Sequence, residues 1–160
     1  MRSGRITAAV FVALFATAAT AGGAGAAGDL SRQTPIEVTV TLGKPGKHVF
    51  EPNRLRFETG KLYKLILTNT SNDPHYFTSH AFTQLIFTRK VQVTQMRDGK
   101  LVTLAEFKGA IREIEVYPGY SAEWWFVPVA TGRTDLQCGI TGADGKTHAD
   151  HGMVGEIVIE

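Results

Sequence analysis

A sandwich or barrel built from β-strands alone is the fold class this sequence predicts, and three observations predict it. Hydrophobic alternation with a period of two recurs along the chain after residue 35. The alternating runs are rich in Val, Ile, Thr and aromatics. Gly, Pro, Asn and Asp gather at their ends.

The elements follow in order. Ile36 to Leu42 (IEVTVTL) alternates and stops at the turn residues between Gly43 and Gly46. Lys61 to Asn69 sets Leu62, Lys64, Ile66 and Thr68 against Tyr63, Leu65 and Leu67. His75, just after Pro74, opens the next strand. The rhythm then breaks. Thr78 to Lys90 predicts a short helix, with Phe82, Leu85 and Ile86 on one face and Ser79 placed to cap it. Lys90 to Phe107 reads as a hairpin turning at Asp98-Gly99, because a two-residue hairpin turn favours that pair. This insertion, between about residues 78 and 109, could cover one sheet or form a partner surface. Arg89 and Lys90 within it are docking charges or a solvated pair. Ile111 opens another strand, bounded by Pro118-Gly119. In Ser121 to Val129 (SAEWWFVPV), Trp124 and Phe126 share one face while Trp125 and Val127 share the other. Two apolar faces place that strand mid-sheet, with a covering segment or partner over one of them. TDLQC, ending at Cys138, and the closing GEIVIE complete the set.

The first residues read differently. Arg2 and Arg5 precede the uncharged stretch Ile6 to Ala21, and small-residue cleavage patterns follow at Ala19-Thr20-Ala21 and Ala24-Gly25-Ala26. This is the pattern of a secretory signal peptide over residues 1–26. It is short for a membrane span, which needs about 20 apolar residues. Residues 27–160 then form one exported domain, periplasmic or secreted, with no stable membrane span. Beyond residue 26 the chain carries 15 acidic residues and, without Arg2 and Arg5, as many basic ones. A neutral domain lacks the positive field that non-specific nucleic-acid binding requires, so no nucleic-acid partner is expected.

One cysteine in an oxidising compartment cannot close an internal disulfide. Cys138 is a bridge to another chain, a reactive thiol, a metal ligand or a small buried hydrophobe. It opens the stretch CGITGADGKTHADHGM, which also holds two of the five histidines and one of the three methionines. If the strands on either side pair, Cys138 faces Met153 across the mouth of a loop that carries His148. His75, at a neighbouring strand end, would add a second imidazole. Two imidazoles and a thiolate in a trigonal array, with a weak axial thioether, suit copper in an electron-transfer site. Structural zinc more often uses further cysteines. His151 is the rival of His148, and His80 the rival of His75. His48, in GKHVFEPNRLRF, is expected to face solvent or a strand edge, and Met96 to be a packing or exposed residue.

His75 in NDPHYF, the run VYPGYSAEWWFVPVATGRTDLQC, and the His-x4-Met-x-Gly pattern at His148, Met153 and Gly155 together resemble the cupredoxin family of small blue-copper proteins. The resemblance covers about Ile36 to Glu160. It implies a Greek-key β-sandwich holding one copper ion per chain through His75, Cys138, His148 and Met153. It also implies electron carriage or copper handling outside the cytoplasm, with redox proteins or copper donors and acceptors as partners. The chain departs from the family in two places. Nine residues separate Cys138 from His148, a longer spacing than most members have. Closing a longer flexible loop costs only about 0.6 kcal/mol per doubling of its length, against about 10–16 kcal/mol available from a structural metal site. Tyr76 follows His75 where several members have an asparagine that braces the cysteine loop, which leaves Asn69, Asn72 or no residue for that task.

Four readings stay open at this stage: electron transfer, copper binding for tolerance or delivery, a small copper enzyme with an open coordination position, and a metal-free interaction sandwich. Asp144 and Asp150 are the candidate carboxylates for the enzyme. No Ser-His-Asp order, phosphate loop or paired-carboxylate signature points to hydrolysis.

Overall fold

The computed structural model describes residues 33–160, and the signal-peptide reading of residues 1–26 lies outside them. The described elements are β1 (Ile36–Lys44), β2 (Lys47–Glu51), β3 (Arg54–Phe57), β4 (Tyr63–Asn69), β5 (His75–Thr78), α1 (His80–Gln84), β6 (Ile86–Arg97), β7 (Lys100–Phe107), β8 (Glu113–Val116), β9 (Ser121–Pro128), β10 (Gly132–Gln137) and β11 (Val154–Ile159). They form two mixed sheets, one in the order β2-β1-β4-β9-β6-β7 and the other β3-β11-β10-β5-β8. The all-β sandwich expected from the alternation is what the chain adopts.

Period-two patterning explains the core. Along β4, Tyr63, Leu65, Leu67 and Asn69 are buried while Lys64, Ile66 and Thr68 are only partly so. From β9, Trp124 and Phe126 enter the core and meet Phe57 of β3, Phe77 of β5 and Phe82 of α1 edge to face. Phe57 and Phe126 have ring centres 5.1 Å apart, and Phe82 and Trp124 have them 5.7 Å apart. Large rings touching this way interdigitate without stacking face on face, the geometry aromatic quadrupoles favour. β9 sits mid-sheet between β4 and β6, as its two apolar faces require. Its outer face is closed by side chains rather than by a separate segment: the ammonium groups of Lys64 and Lys90 lie 5.5 and 4.7 Å from the centre of the Trp125 ring.

Four local expectations change. The helix is shorter than Thr78 to Lys90, because Ile86 already belongs to β6 and pairs with Pro128. Ser79 stands at the helix start without capping it; its hydroxyl donates to Thr134 Oγ1 instead (3.2 Å). The hairpin turns at Asp98-Gly99 as expected, with φ of 50° and 73° there, but β6 begins at Ile86 rather than Lys90. The insertion between about residues 78 and 109 does not cover a sheet; β6 and β7 extend one, through the β6–β9 ladder. The short strands β2 and β3 had no reading in the sequence. They are five and four residues long and carry charges at several positions, too brief for alternation to stand out.

Three connections meet at one end of the sandwich. The β1–β2 turn is tied to the β4–β5 connection, because Thr70 Oγ1 donates to the carbonyl of Gly43 (2.9 Å). The β10–β11 loop joins them, since β10 and β11 pair antiparallel down to Gln137 and Val154, leaving Cys138 and Met153 at its mouth. Among the described residues, no helix is long and apolar enough to cross a membrane.

Candidate metal centre

His75 is the first residue of β5, fully buried and opposite Val116 of β8. The chain before it is fastened by Asn69 and Ser71. The Asn69 amide donates to the carbonyls of Asp73 and Val116 (both 2.7 Å), and its oxygen accepts the Ser71 N–H and hydroxyl (both 2.9 Å). Asn69 therefore braces the turn that carries His75, and its bonds run to that turn and to β8. Ser71 also decides the tautomer of His75. Its one hydroxyl hydrogen is claimed by acceptors, Asn69 Oδ1 and the Asp73 carbonyl, so towards His75 Nε2, 2.9 Å away, it can only accept. The proton then sits on Nε2, and Nδ1 keeps its lone pair, the arrangement a metal-binding histidine needs.

Cys138 follows β10 directly. Its N–H donates to the Met153 carbonyl (3.2 Å) and its carbonyl accepts the N–H of Ala149 (2.9 Å). Its Sγ accepts the N–H of Tyr76 at 3.3 Å. Burial pushes the thiol pKa above its ordinary value, while backbone N–H groups of Ile140 and Tyr76 pull it back towards the thiolate.

The loop from Cys138 to Met153 is a folded unit. Thr141 and Thr147 form a β-bridge, and Gly142 N–H donates to the Lys146 carbonyl (2.7 Å). Asp150 Oδ2 accepts the N–H and hydroxyl of Thr147 (2.8 and 2.7 Å). His148 is held from both sides: its N–H donates to the Ile140 carbonyl (2.8 Å), and its carbonyl accepts the Met153 N–H (2.9 Å). The long spacing to Cys138 is thus bridged by turns that satisfy their own backbone groups.

These elements bring three donors together. His75 Nδ1 and His148 Nδ1 are 3.1 Å apart; Cys138 Sγ lies 3.5 Å from His148 Nδ1 and 3.9 Å from His75 Nδ1. The circle through the three atoms has a radius of about 2 Å, the length of an imidazole–metal or thiolate–metal bond. Met153 is fully buried beside them, its backbone bonded to both Cys138 and His148. The residues present therefore fit a single soft-to-borderline transition metal. Both imidazoles are kept neutral. Burial and the neighbouring rings of His148 and His48 lower the His75 pKa to about 4. Burial, then His48, lowers that of His148.

The rivals fall outside. His151 is exposed and donates through Nε2 to Asp144 Oδ2 (2.8 Å). His80 is exposed on α1, where it lines a cavity of 340 Å³ with Thr83, Gln84, Ala110, Ile111 and Arg112, none of them part of the donor cluster. Asp144 and Asp150 spend their oxygens on loop groups, and both carboxyls titrate below their ordinary range because they accept those hydrogen bonds.

One residue was missed. His48 lies on the edge strand β2, one of the two places expected for it, but it is half-buried, and its ring stacks on that of His148 with centres 3.9 Å apart and planes 21° from parallel. The sequence signal was faint: a histidine beyond a glycine turn, on an edge strand whose neighbour in space is set only by the fold.

The likeness to solved structures is one of fold alone. No family model matches the chain, and no curated protein matches it. A multicopper oxidase from Campylobacter jejuni is 17% identical with a TM-score of 0.58, over 79% of this chain and 30% of its own. A multi-copper oxidase from Pediococcus acidilactici is 18% identical with a TM-score of 0.51, over 81% of this chain and 26% of its own. The chain has a cupredoxin fold. It spans about a third or less of those two oxidases, so the likeness is to one domain's worth of each. Auracyanin A, a blue copper protein from Chloroflexus aurantiacus, also aligns, at 14% identity and a TM-score of 0.46, over 79% of this chain and all of its own. Within this cupredoxin fold, the three connections that meet at one end lead into His48 on β2 and His75 at the start of β5 and carry Cys138 and His148.

Proposed function

We propose that this protein is an exported mononuclear copper protein whose His75, Cys138 and His148 hold the ion, with Met153 as the weak axial donor, and that it carries electrons between redox partners. One observation carries the reading: two imidazole nitrogens and a thiol sulfur lie on a circle of about 2 Å radius. When bound, copper supplies one-electron chemistry, and a thiolate with two imidazoles and a thioether serves both of its oxidation states.

The chain's own residues do the rest. Ser71 keeps the lone pair of His75 on Nδ1. The Tyr76 N–H bonded to Sγ favours the thiolate and draws charge from it, a lever on reduction potential. Backbone bonds fix Cys138, His148 and Met153 to one another independently of the metal. Donors held this way move little when the metal changes charge, which keeps reorganisation small. His148 is the donor nearest the surface, at 4% exposure, and is the natural exit towards a partner. The export reading rests on residues 1–26.

The test is spectroscopic. Cu(II) added to the purified protein is expected to produce an intense thiolate-to-copper charge-transfer band in visible absorption, with a matching EPR spectrum. The band vanishes in Cys138→Ser, is largely lost in His148→Ala and survives in His151→Ala. Full retention of the band in His148→Ala overturns the ligand set. Rapid surrender of copper to a weak chelator moves the function from electron carriage to copper delivery.

A further inference from the structure

Four of the five histidines cluster at this end of the sandwich. His151 and His48 have ring centres 5.8 Å apart, and His48, His148 and His75 form a triangle with sides of 3.9 Å (His48–His148), 4.9 Å (His148–His75) and 5.7 Å (His48–His75). Exposure falls from the outer ring inward: the His151 side chain is 37% exposed, His48 is half-buried, His148 is 4% exposed and His75 not at all. The inner two belong to the donor cluster already described, and the outer two have no place in it.

His48, His75 and His148 do place ring nitrogens within 4.8 Å of one another, but the stack rules out one shared ion for all three. An imidazole lone pair lies in the plane of its ring. An ion in the plane of His148 sits nearly a ring spacing above the plane of His48, out of reach of its lone pairs. His48 and His151 are related differently. Their centres are 5.8 Å apart with planes 32° from parallel. Two imidazoles that share one ion have centres about 5 to 6 Å apart, given nitrogen–metal bonds of about 2 Å.

Two details prepare this pair for a cation. His151 gives its Nε2–H to the Asp144 carboxylate, which leaves Nδ1 as the lone-pair atom, the carboxylate–histidine arrangement that orients metal ligands. His48 Nδ1 is buried and has no hydrogen-bond partner. A buried polar atom without a partner costs free energy that a bound ion would recover.

We infer that His48 and His151, backed by Asp144, form an outer position where a copper ion first lands before moving inward past His148 to Cys138. The inference rests on the inner copper reading and adds a second, transient binding position to it. Its donors are nitrogen with carboxylate support and no thiolate, so it holds Cu(II) more weakly than the inner set. In the transfer one donor set replaces another around the ion, and the Cys138 S–H bond breaks as the sulfur takes the metal, its proton leaving to solvent.

Stopped-flow absorbance tests it, mixing metal-free protein with increasing excess of Cu(II) and following the growth of the thiolate band. In the wild type the loading rate is expected to saturate with Cu(II), because the outer complex forms first. In His151→Ala, and in His48→Phe, which keeps a stacked ring but no nitrogen, the rate is expected to fall at least tenfold at low Cu(II) and to rise linearly with it. Rates within twofold of wild type in both variants overturn the inference. A second arm stands even if no thiolate band forms. Cu(II) bound to Cys138→Ser protein is read by nitrogen hyperfine structure in EPR. A tenfold loss of affinity and an altered signal on adding His151→Ala support the outer position, and an unchanged signal overturns it.

Discussion

Gly43 near the end of β1 and Gly46 in the β1–β2 turn both have positive φ, 68° and 70°, and differ in what faces them. A Cβ on Gly46 meets nothing within 4 Å. A Cβ on Gly43 would come within 2.6 Å of His75 Cδ2 and 2.9 Å of Ser71 Cβ, and closer still to His75 Nε2. Alanine at either position suffers the left-handed penalty of about 1–2 kcal/mol, and its effect on the unfolded chain is common to both. Gly43→Ala adds overpacking against a buried ring, worth about 1–3 kcal/mol. Urea denaturation of the metal-free protein is therefore expected to show Gly43→Ala less stable than Gly46→Ala by about 1–3 kcal/mol. The same clash drives His75 off Ser71, so copper affinity should fall in Gly43→Ala and hold in Gly46→Ala. Equal stability losses in the two variants, or a larger one at Gly46, would refute the claim that Gly43 is the lid over His75.

Three more outcomes follow from the same end of the sandwich. Ser71→Ala removes the acceptor that keeps the proton on His75 Nε2, and competition with a chelator should show copper affinity lower by roughly 10–100-fold. Asn69→Ala leaves the carbonyls of Asp73 and Val116 without their donor, and chemical denaturation should register a loss of about 2–5 kcal/mol. The metal-free protein should lose stability as pH falls from about 6.5 towards 4, measured by thermal melts across that range. Over that window the unfolded chain protonates a histidine that the fold keeps neutral at His75, with His148 adding in the same direction; above it the contribution is flat.

How far the sequence reached depends on which interactions are local. Alternation over Ile36 to Leu42 and Lys61 to Asn69 depends only on neighbouring residues, and β1 and β4 appear nearly where it put them. The Asp98-Gly99 turn was readable for the same reason, since only positive φ at both positions closes that hairpin. Cys138 opposite Met153 followed from pairing two strands across one loop. His48 did not follow from anything local. Its place on His148 depends on β2 folding back beside β1 and on the β10–β11 loop reaching over, two events separated by about a hundred residues of chain. The partner of Ser79 was hidden likewise, because Thr134 competes with the helix N-terminus only once β10 lies alongside.

The Cys138-to-His148 spacing shows why counting residues misjudges such a loop. Treated as flexible chain, its extra length is a small entropic cost and says nothing about where His148 points. Folded, the same residues hold His148 through Ile140 on one side and Met153 on the other, while Asp150 and Thr147 close the turn between. The loop's backbone places the imidazole before any ion arrives. The added length also supplies Asp144, which holds His151, a residue beyond His148 whose ring centre is 5.8 Å from that of His48. A short loop could have positioned the inner donor equally well, but it would have had no carboxylate left to orient His151.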